Sequence, residues 1–229
     1  MLRHRLANGV EAAFTTRAEG NLALHVGDDP STVEARRWSV ETTLGVMGTS
    51  WCEQVHGTAV ATVTEPGRTY AATDALVTSL PRAPLAVLAA DCVPVVLAGG
   101  DVVAAAHAGW RGLTGGVLQA TVEAMRAAGA RDVRAVLGPA IGPCCYEVGE
   151  DVAGRIAEVA PTARAWTRDG TPSVDLPSAA QHVLEVAGVT VERVGGCTYD
   201  DAARFFSYRR DGGPGRDTGR HAALVWRGE

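Results

Sequence analysis

Short apolar runs alternate irregularly with amphipathic helical patterns along the whole chain. The apolar runs are rich in Val, Ala and Leu and are bounded by Gly, Pro and Asp, which is typical of buried strands. These predicted strands lie at 10–14, 59–63, 85–90, 93–98, 101–108, 133–138 and 222–226. The mixture of strands and helices predicts an α+β or an α/β fold.

The helical patterns predict three helices, at 32–44, about 114–128 and about 149–159. In the first helix Ser31 and Glu34 form a predicted capping box after Pro30, and Gly45 ends the pattern. The other two helices have continuous apolar faces, which indicate ordinary amphipathic packing.

One polar residue interrupts the apolar stripe of the first predicted helix. The stripe consists of Val33, Arg37, Val40 and Leu44. An arginine buried without a partner costs more free energy than the helix gains, so Arg37 either extends its guanidinium into solvent or directs it at an anion. The pattern alone leaves both alternatives open.

The length of 229 residues predicts a single domain, 1–229, with one substantial core. No segment has the composition of a linker, and no internal repeat occurs. No apolar run approaches the roughly 18 residues of a membrane-spanning helix. The first ten residues lack the apolar stretch of a signal peptide, so we expect a cytoplasmic protein.

The charge of the chain excludes several classes of function. The net charge is −5, which disfavours nucleic acids and anionic membranes as partners. All 21 basic residues are arginine. The absence of lysine rules out a phosphate-binding P-loop lysine, a lysine Schiff base and a lysine general base.

The chain has five cysteines, which are Cys52, Cys92, Cys144, Cys145 and Cys197. An odd number of cysteines, without an export signal, predicts free thiols or thiolate ligands and not a disulfide framework.

Three metal-ligating residues lie at boundaries between predicted elements. His56 precedes a glycine at the start of a strand, Cys92 interrupts an apolar run, and His107 ends the run VVAAAHA. Two imidazoles and one thiolate form a donor set that zinc prefers, and three protein ligands are typical of a catalytic zinc site. Each residue also has a structural alternative, as a small core cysteine or a hydrogen-bonded histidine, and their spacing matches no short zinc motif.

The glycine-rich segment after His107 predicts an anion pocket. Thr114 is placed to cap the helix that follows, so that free backbone amides and Arg111 face a bound anion.

Two further stretches, 138–149 and 197–220, are dense in unusual residues. The first contains two cysteines, Tyr146 and Glu147 in a glycine-bounded loop. The second contains aromatic residues beside arginines, which suit a planar ring and an anion. The alternative for the second stretch is a core strand followed by a solvated turn.

The strings QVHG, ADCVPVVLA, AAHAGWRG, GPAIGPCCYEVG and FFSYRRDG, followed by TGR, occur in this order. With them the sequence resembles, over nearly its whole length, the laccase-domain or polyphenol-oxidase-like family, now described as multifunctional purine nucleoside phosphorylases. The resemblance implies an α+β fold with mixed sheets flanked by helices, similar to certain cysteine-dependent toxin deamidases.

The same resemblance implies a zinc ion held by His56, Cys92 and His107. It also implies cleavage of adenosine, inosine, guanosine and methylthioadenosine by phosphate, and deamination of adenosine. The expected partners are therefore purine nucleosides and phosphate, with no nucleic acid or membrane, and we expect a monomer or a weak homodimer. Some members of the family are described as peptidoglycan-editing factors.

The remaining site assignments follow from combining the resemblance with the residue chemistry. An Asn-Arg pair of the family falls at Arg36-Arg37, which supports a contact from Arg37 to substrate or phosphate, together with Arg111. Asp91 and Glu147 are predicted proton shuttles, although Asp91 also suits a turn cap and Glu147 a solvated loop. The sequence departs from the family pattern at Arg36 and in a shortened loop after Arg17.

The residues argue against two competing functions and leave two others open. A multicopper oxidase needs many histidines in His-x-His pairs, and a cytidine deaminase needs His-x-Glu with Pro-Cys-x-x-Cys; the chain has neither pattern. A metal-free hydrolase with Cys92 as nucleophile and His107 as base, acting on a cell-wall precursor, remains an alternative. A non-enzymatic partner in the cell envelope or division machinery is the other.

Overall fold

The computed structural model describes residues 1–7, 9–213 and 217–228. The strands in these ranges are β1 Leu2–Ala7, β2 Val10–Phe14, β3 Ser50–Cys52, β4 Val60–Thr62, β5 Thr69–Tyr70, β6 Ala75–Thr78, β7 Leu85–Ala89, β8 Val93–Gly99, β9 Val102–Ala108, β10 Arg134–Leu137, β11 Arg164–Trp166, β12 Pro172–Val174, β13 Thr190–Arg193 and β14 His221–Arg227. The α-helices are α1 Pro30–Leu44, α2 Trp110–Gly115, α3 Val117–Ala127, α4 Glu150–Val159, α5 Leu176–Val186 and α6 Tyr208–Asp211.

Two six-stranded sheets form the centre of the fold. Their strand orders are β1-β2-β14-β7-β3-β5 and β13-β10-β8-β9-β6-β4. Most pairs are antiparallel, whereas β3 pairs in parallel with β5 and β7, β4 with β6, and β10 with β13. Mixed sheets with flanking helices confirm the predicted α+β class.

The two sheets pack face to face, and each is covered by helices on its outer face. Along β8, Val95 and Leu97 pack with the apolar residues of α3, α4 and α5, whereas Val96 packs between the sheets. Along β14, Val225 packs between the sheets and Leu224 packs toward α1. Because successive residues of a strand point to opposite faces, strands buried on both faces give the continuous apolar runs seen in the sequence.

The seven predicted strands are confirmed to within two residues at each end, but the start of α1 is not at the predicted place. Pro30 is the first helical residue, and the Asp29 carboxylate accepts a hydrogen bond from the Thr32 amide at 2.8 Å. The predicted capping box of Ser31 and Glu34 is therefore wrong. Proline suits the first helical position because it has no amide to satisfy, and the cap falls on the residue before it.

The predicted helix over 114–128 is two helices, α2 and α3, separated by Gly116. Gly116 has a left-handed backbone conformation, with φ at 97°, which glycine adopts without strain. Thr114 does not cap α3, because its hydroxyl donates to the Trp110 carbonyl one turn earlier, at 2.9 Å. The sequence analysis missed α5, although Asp175 caps it and a proline lies in its first turn. In the described ranges, no helix combines the length and apolar character needed to cross a membrane.

Candidate metal centre and active-site cavity

The three predicted metal ligands lie together. Nε2 of His56 is 3.8 Å from Sγ of Cys92, and the rings of His56 and His107 meet edge to face with centroids 4.8 Å apart. One ligand atom from each of the three residues lies within 4.8 Å of the others. The structure thus brings together residues that lie far apart in the sequence.

Strand pairing explains why Cys92 and His107 meet. Cys92 is in the short turn between β7 and β8, and His107 on β9 is the register partner of Pro94 on β8. His56 approaches from the loop after β3, in a left-handed backbone conformation with φ at 59°. This conformation is uncommon for a residue with a side chain, and the surrounding contacts must hold it.

Asp74 supplies those contacts. Its carboxylate, which has no exposed surface, accepts hydrogen bonds from the amides of Val55 at 3.1 Å, His56 at 3.0 Å and Gly57 at 2.7 Å. It also lies 2.8 Å from Nδ1 of His107. An ionised carboxylate only accepts, so Nδ1 carries the proton and Nε2 is free to bind a metal.

The sequence analysis missed Asp74, although a signal was present. A charged residue stands directly before the fully buried strand β6, in the segment AATDALVT. A buried carboxylate requires several hydrogen-bond donors, so its position in an apolar run indicates a specific role.

The electrostatics of this centre favour a thiolate. Burial opposes ionisation of the Cys92 thiol, but the neighbouring imidazoles of His107 and His56 outweigh it and hold the pKa of Cys92 below its ordinary value. Burial opposes protonation of His107 in the same way, while Cys92 and Asp74 raise the pKa of His107. A thiolate is the form of cysteine that binds metals and attacks electrophiles.

The residues fit a zinc ion of the catalytic type. Imidazole nitrogens and thiolates are donors that zinc prefers, and three protein ligands are typical of a catalytic zinc site, in which a further position would be open to substrate or water. A Cβ atom at Gly109 would lie 2.8 Å from Cδ2 of His56 and 3.0 Å from Sγ of Cys92. Only glycine therefore leaves room for these two ligands at that position.

The three candidate ligands lie at the wall of a cavity of about 410 Å³. That volume suits a small-molecule ligand. The cavity is walled by aromatic, arginine and histidine side chains and by the ends of β7 and β9. The lining residues are His25, Gln54, His56, Leu88, Ala89, Ala90, Asp91, Cys92, His107, Trp110, Arg111, Tyr146, Tyr208, Arg209 and Arg220.

Arg111 is in the cavity, as an anion contact requires. Its guanidinium lies over the Trp110 ring, 4.5 Å from the centroid. Within the described part of the chain its side chain has no hydrogen-bond or ion-pair partner, so its charge is available to a ligand.

Arg37 does not line the cavity. Its guanidinium stacks on Trp51, 3.8 Å from the ring centroid, and Nε donates to the Leu22 carbonyl at 2.9 Å. Neither alternative drawn from the sequence describes this position. The half-buried guanidinium is held by the aromatic face of Trp51 and by the carbonyl of Leu22. Arg37 contributes a positive charge to the surroundings of the cavity residue His25.

Asp91 and Glu147 have positions that do not favour proton transfer. Asp91 borders the cavity, but its carboxylate accepts hydrogen bonds from the hydroxyls of Thr198 at 2.6 Å and Ser207 at 3.1 Å and from the Arg209 amide at 2.7 Å. Glu147 is exposed and is not among the lining residues; its backbone carbonyl accepts from Arg209 at 2.7 Å.

The aromatic and arginine residues of 197–220 divide between cavity and core. Tyr208 and Arg209 line the cavity, whereas Phe205 is fully buried and Arg210 pairs with Asp211. Part of this stretch, 214–216, lies outside the described residues. Arg220, which the sequence analysis did not single out, also lines the cavity.

The sequence profile of the multi-copper polyphenol oxidoreductase laccase family matches residues 5–228. The chain belongs to this family. Among its curated relatives, purine nucleoside phosphorylase SCO2081 of Streptomyces coelicolor is 42% identical, and 96% of each chain is covered. Purine nucleoside phosphorylase PA4543 of Pseudomonas aeruginosa is 40% identical, with 95% of this chain and 93% of the relative covered.

Two solved structures have the same fold. The crystal structure of Neisseria meningitidis protein NMB0706 has a TM-score of 0.85 and 36% identity, and covers 98% of this chain and 96% of its own. The crystal structure of YlmD from Geobacillus stearothermophilus has a TM-score of 0.86 and 33% identity, and covers 96% of this chain and 93% of its own. The family membership inferred from the motifs is thereby confirmed.

Proposed function

We propose that this protein is a zinc-dependent purine nucleoside phosphorylase that also deaminates adenosine. Its substrates would be adenosine, inosine, guanosine and methylthioadenosine, cleaved by phosphate to the free base and the pentose 1-phosphate. The observation that carries the proposal is one cavity holding both the convergent donors of His56, Cys92 and His107 and the cation of Arg111, which has no hydrogen-bond or ion-pair partner among the described residues. The names of the curated relatives support the class of reaction.

His56, Cys92 and His107 would hold the zinc ion. Bound there, zinc would supply Lewis-acid chemistry and a nucleophile from water at neutral pH, as deamination at purine C6 requires. Asp74 prepares the site by fixing the tautomer of His107 and the backbone of His56.

In phosphorolysis a phosphate oxygen bonds to C1′ of the ribose while the bond from C1′ to N9 breaks. The base leaves with the electron pair of that bond and takes up a proton. Arg111, Arg209 and Arg220 bring three positive charges to the cavity wall, which suits a phosphate dianion. Arg111 is the strongest candidate, because the other two guanidinium groups already donate to backbone carbonyls.

Aromatic side chains of the cavity suit the purine ring. Trp110, Tyr146 and Tyr208 lie in its walls, and planar rings of this kind stack on a flat heterocycle. We assign Asp91 and Arg37 as positioning residues. Asp91 holds the segment of Thr198 and Arg209, and Arg37 holds Leu22 against Trp51.

The reaction is tested by incubating the untagged protein with adenosine, with and without phosphate. We expect adenine and ribose 1-phosphate only when phosphate is present, and inosine in both cases. The Cys92→Ala variant serves as the control, and it should form neither product. Release of free ribose at the same rate without phosphate would identify a hydrolase and overturn the phosphorylase proposal.

One observation favours a second candidate, the metal-free hydrolase. Asp74, His107 and Cys92 are arranged as an orienting carboxylate, a base and a nucleophile. Zinc removal separates the two. The hydrolase would keep its activity after complete chelation and lose it on alkylation of Cys92, whereas the phosphorylase would regain its deaminase activity only on addition of zinc.

A further inference from the structure

A second group of metal-ligating side chains lies outside the lining of the cavity. It consists of the sulfurs of Cys144, Cys145 and Cys197 and the carboxylate of Asp200, and one ligand atom from each lies within 4.8 Å of the others. Sγ of Cys144 is 2.9 Å from Sγ of Cys145 and 4.0 Å from Sγ of Cys197. The Asp200 oxygens lie 3.5 Å from the sulfurs of Cys144 and Cys145.

Backbone contacts between two loops bring these residues together. The amide of Thr198 donates to the carbonyl of Ala140 at 3.0 Å, which places Cys197 beside the 138–149 loop. Gly142 packs against the sulfurs of Cys144 and Cys197, and its amide donates to Sγ of Cys197 at 3.2 Å. A Cβ atom at Gly142 would lie only 3.3 Å from Cβ of Cys197 and 3.4 Å from Sγ of Cys144.

The three sulfurs and the carboxylate offer more electron-pair donors than the neighbouring cationic groups can use. Arg168 is the only cationic side chain that contacts them in the described ranges, at 3.0 Å from Sγ of Cys145 and 2.6 Å from Oδ1 of Asp200. Its guanidinium donates to one sulfur and one carboxylate oxygen, and the sulfur of Cys197 has no cationic partner in the described ranges. A central cation would bind all four at once, and the amide of Gly142 already orients the sulfur of Cys197 by donating to it.

We propose that Cys144, Cys145, Cys197 and Asp200 form a second zinc site, structural in type. Four protein donors close the coordination shell of a tetrahedral ion, in contrast to the three donors of the cavity site. The three sulfurs select a soft or borderline cation, and the carboxylate oxygen favours zinc over Cu(I). Zinc would displace the three thiol protons, and Arg168 would offset part of the remaining negative charge.

The site would cross-link two loops that build the catalytic cavity. Tyr146 follows Cys145 directly and lines the cavity, and Thr198 follows Cys197 directly and donates to Asp91. The half-exposed Asp200 and the partly exposed cysteines leave a path for the ion from solvent. Loss of this ion would therefore loosen the cavity wall without removing a ligand of the first site.

The test uses the full chain without a tag, with its thiols reduced, and with Cys92→Ala to remove the only thiolate of the cavity site. After chelation and reloading, this variant should retain about one zinc ion per chain, and Cys92→Ala with Cys197→Ser should retain none. The control is Cys92→Ala with Cys52→Ser, which should keep the ion because Cys52 lies in the core between the sheets.

Cobalt substitution gives a readout that does not depend on the folding of the second variant. In the Cys92→Ala protein a thiolate-to-cobalt charge-transfer band can arise only outside the cavity site, and we expect it to be intense because three sulfurs bind the ion. Absence of the band, or a band of undiminished intensity after Cys197→Ser in a folded protein, would overturn the proposal. So would a stable disulfide between Cys144 and Cys197 with no metal bound after its reduction.

Discussion

Nδ1 of His107 lies 2.8 Å from Oδ1 of Asp74 in a site where the carboxylate has no exposed surface and the histidine only 3%. The carboxylate that orients this histidine also binds the amides around His56. One buried side chain therefore positions two of the three candidate ligands of the cavity site.

Replacement of Asp74 by Asn should weaken zinc binding more than it weakens the fold. The amide keeps the shape of the side chain but loses the charge that holds His107 and the three backbone amides. We expect a loss of zinc affinity of about 10- to 100-fold, measured by competition with a chelator. Asp132→Asn is the matched control, because Asp132 is exposed and its positive φ suits asparagine. An unchanged affinity in Asp74→Asn would contradict this assignment.

Alanine at His56, Cys92 or His107 should each remove the zinc ion of the cavity while the fold survives. The reason is that the three side chains meet at the cavity and contribute little to the apolar core. Metal content and thermal melting are measured together. Cys52→Ser should retain both zinc and turnover, since burial raises the pKa of the Cys52 thiol and keeps it protonated. Loss of cavity zinc in Cys52→Ser would show that the wrong cysteine had been assigned.

Gly109→Ala should damage the site without removing a donor. The added Cβ would meet Cδ2 of His56 at 2.8 Å and Sγ of Cys92 at 3.0 Å. We expect reduced zinc content and loss of turnover. In the matched variant Gly154→Ala the Cβ meets nothing within 4 Å, and it should stabilise helix α4 by about 0.5–1 kcal/mol without changing activity. Full activity in Gly109→Ala would refute the tight fit inferred there.

Arg111→Ala should separate the two proposed reactions. If Arg111 binds phosphate, its loss removes a charge-assisted contact of about 2 kcal/mol, so phosphorolysis should fall roughly 30-fold while deamination is largely kept. The exposed Arg155 supplies the control substitution, which should change neither rate. Arg37→Gln should lower both rates together, because Arg37 acts through Leu22 and Trp51. Equal loss of both reactions in Arg111→Ala would instead assign this residue to the nucleoside.

The stability of the protein should decrease in weak acid through His221. Burial lowers the pKa of this histidine from 6.5 to about 4. Between these two pKa values the unfolded chain binds a proton that the folded chain excludes. The free energy of unfolding therefore decreases as the pH is lowered, by up to about 1.4 kcal/mol per pH unit. Urea unfolding at pH 7 and pH 5 should differ less in His221→Gln than in the wild type. The control is His182→Gln, because His182 is partly exposed. In this variant the difference in stability between pH 7 and pH 5 should equal that of the wild type.

The sequence by itself determined seven of the fourteen described strands, most helical segments and the residue types of the candidate cavity ligands. Strands such as β8 and β14 are buried on both faces, so their apolar runs are local signals that survive without knowledge of the neighbours. His56, Cys92 and His107 were identifiable as candidate ligands because ligand residue types at the ends of apolar runs are unusual, and the family motifs favoured a zinc site over a structural role.

Only the tertiary structure decided which residues surround those ligands. Asp74 reaches His107 because β6 pairs with β9, and Cys197 meets Cys144 because two distant loops pair through Ala140. The same long-range packing placed Arg37 on Trp51 and left Arg111 in the cavity. Burial periodicity is set by each residue and its near neighbours, whereas a hydrogen bond or a shared ion depends on distances that the chain establishes only when its sheets and loops pack.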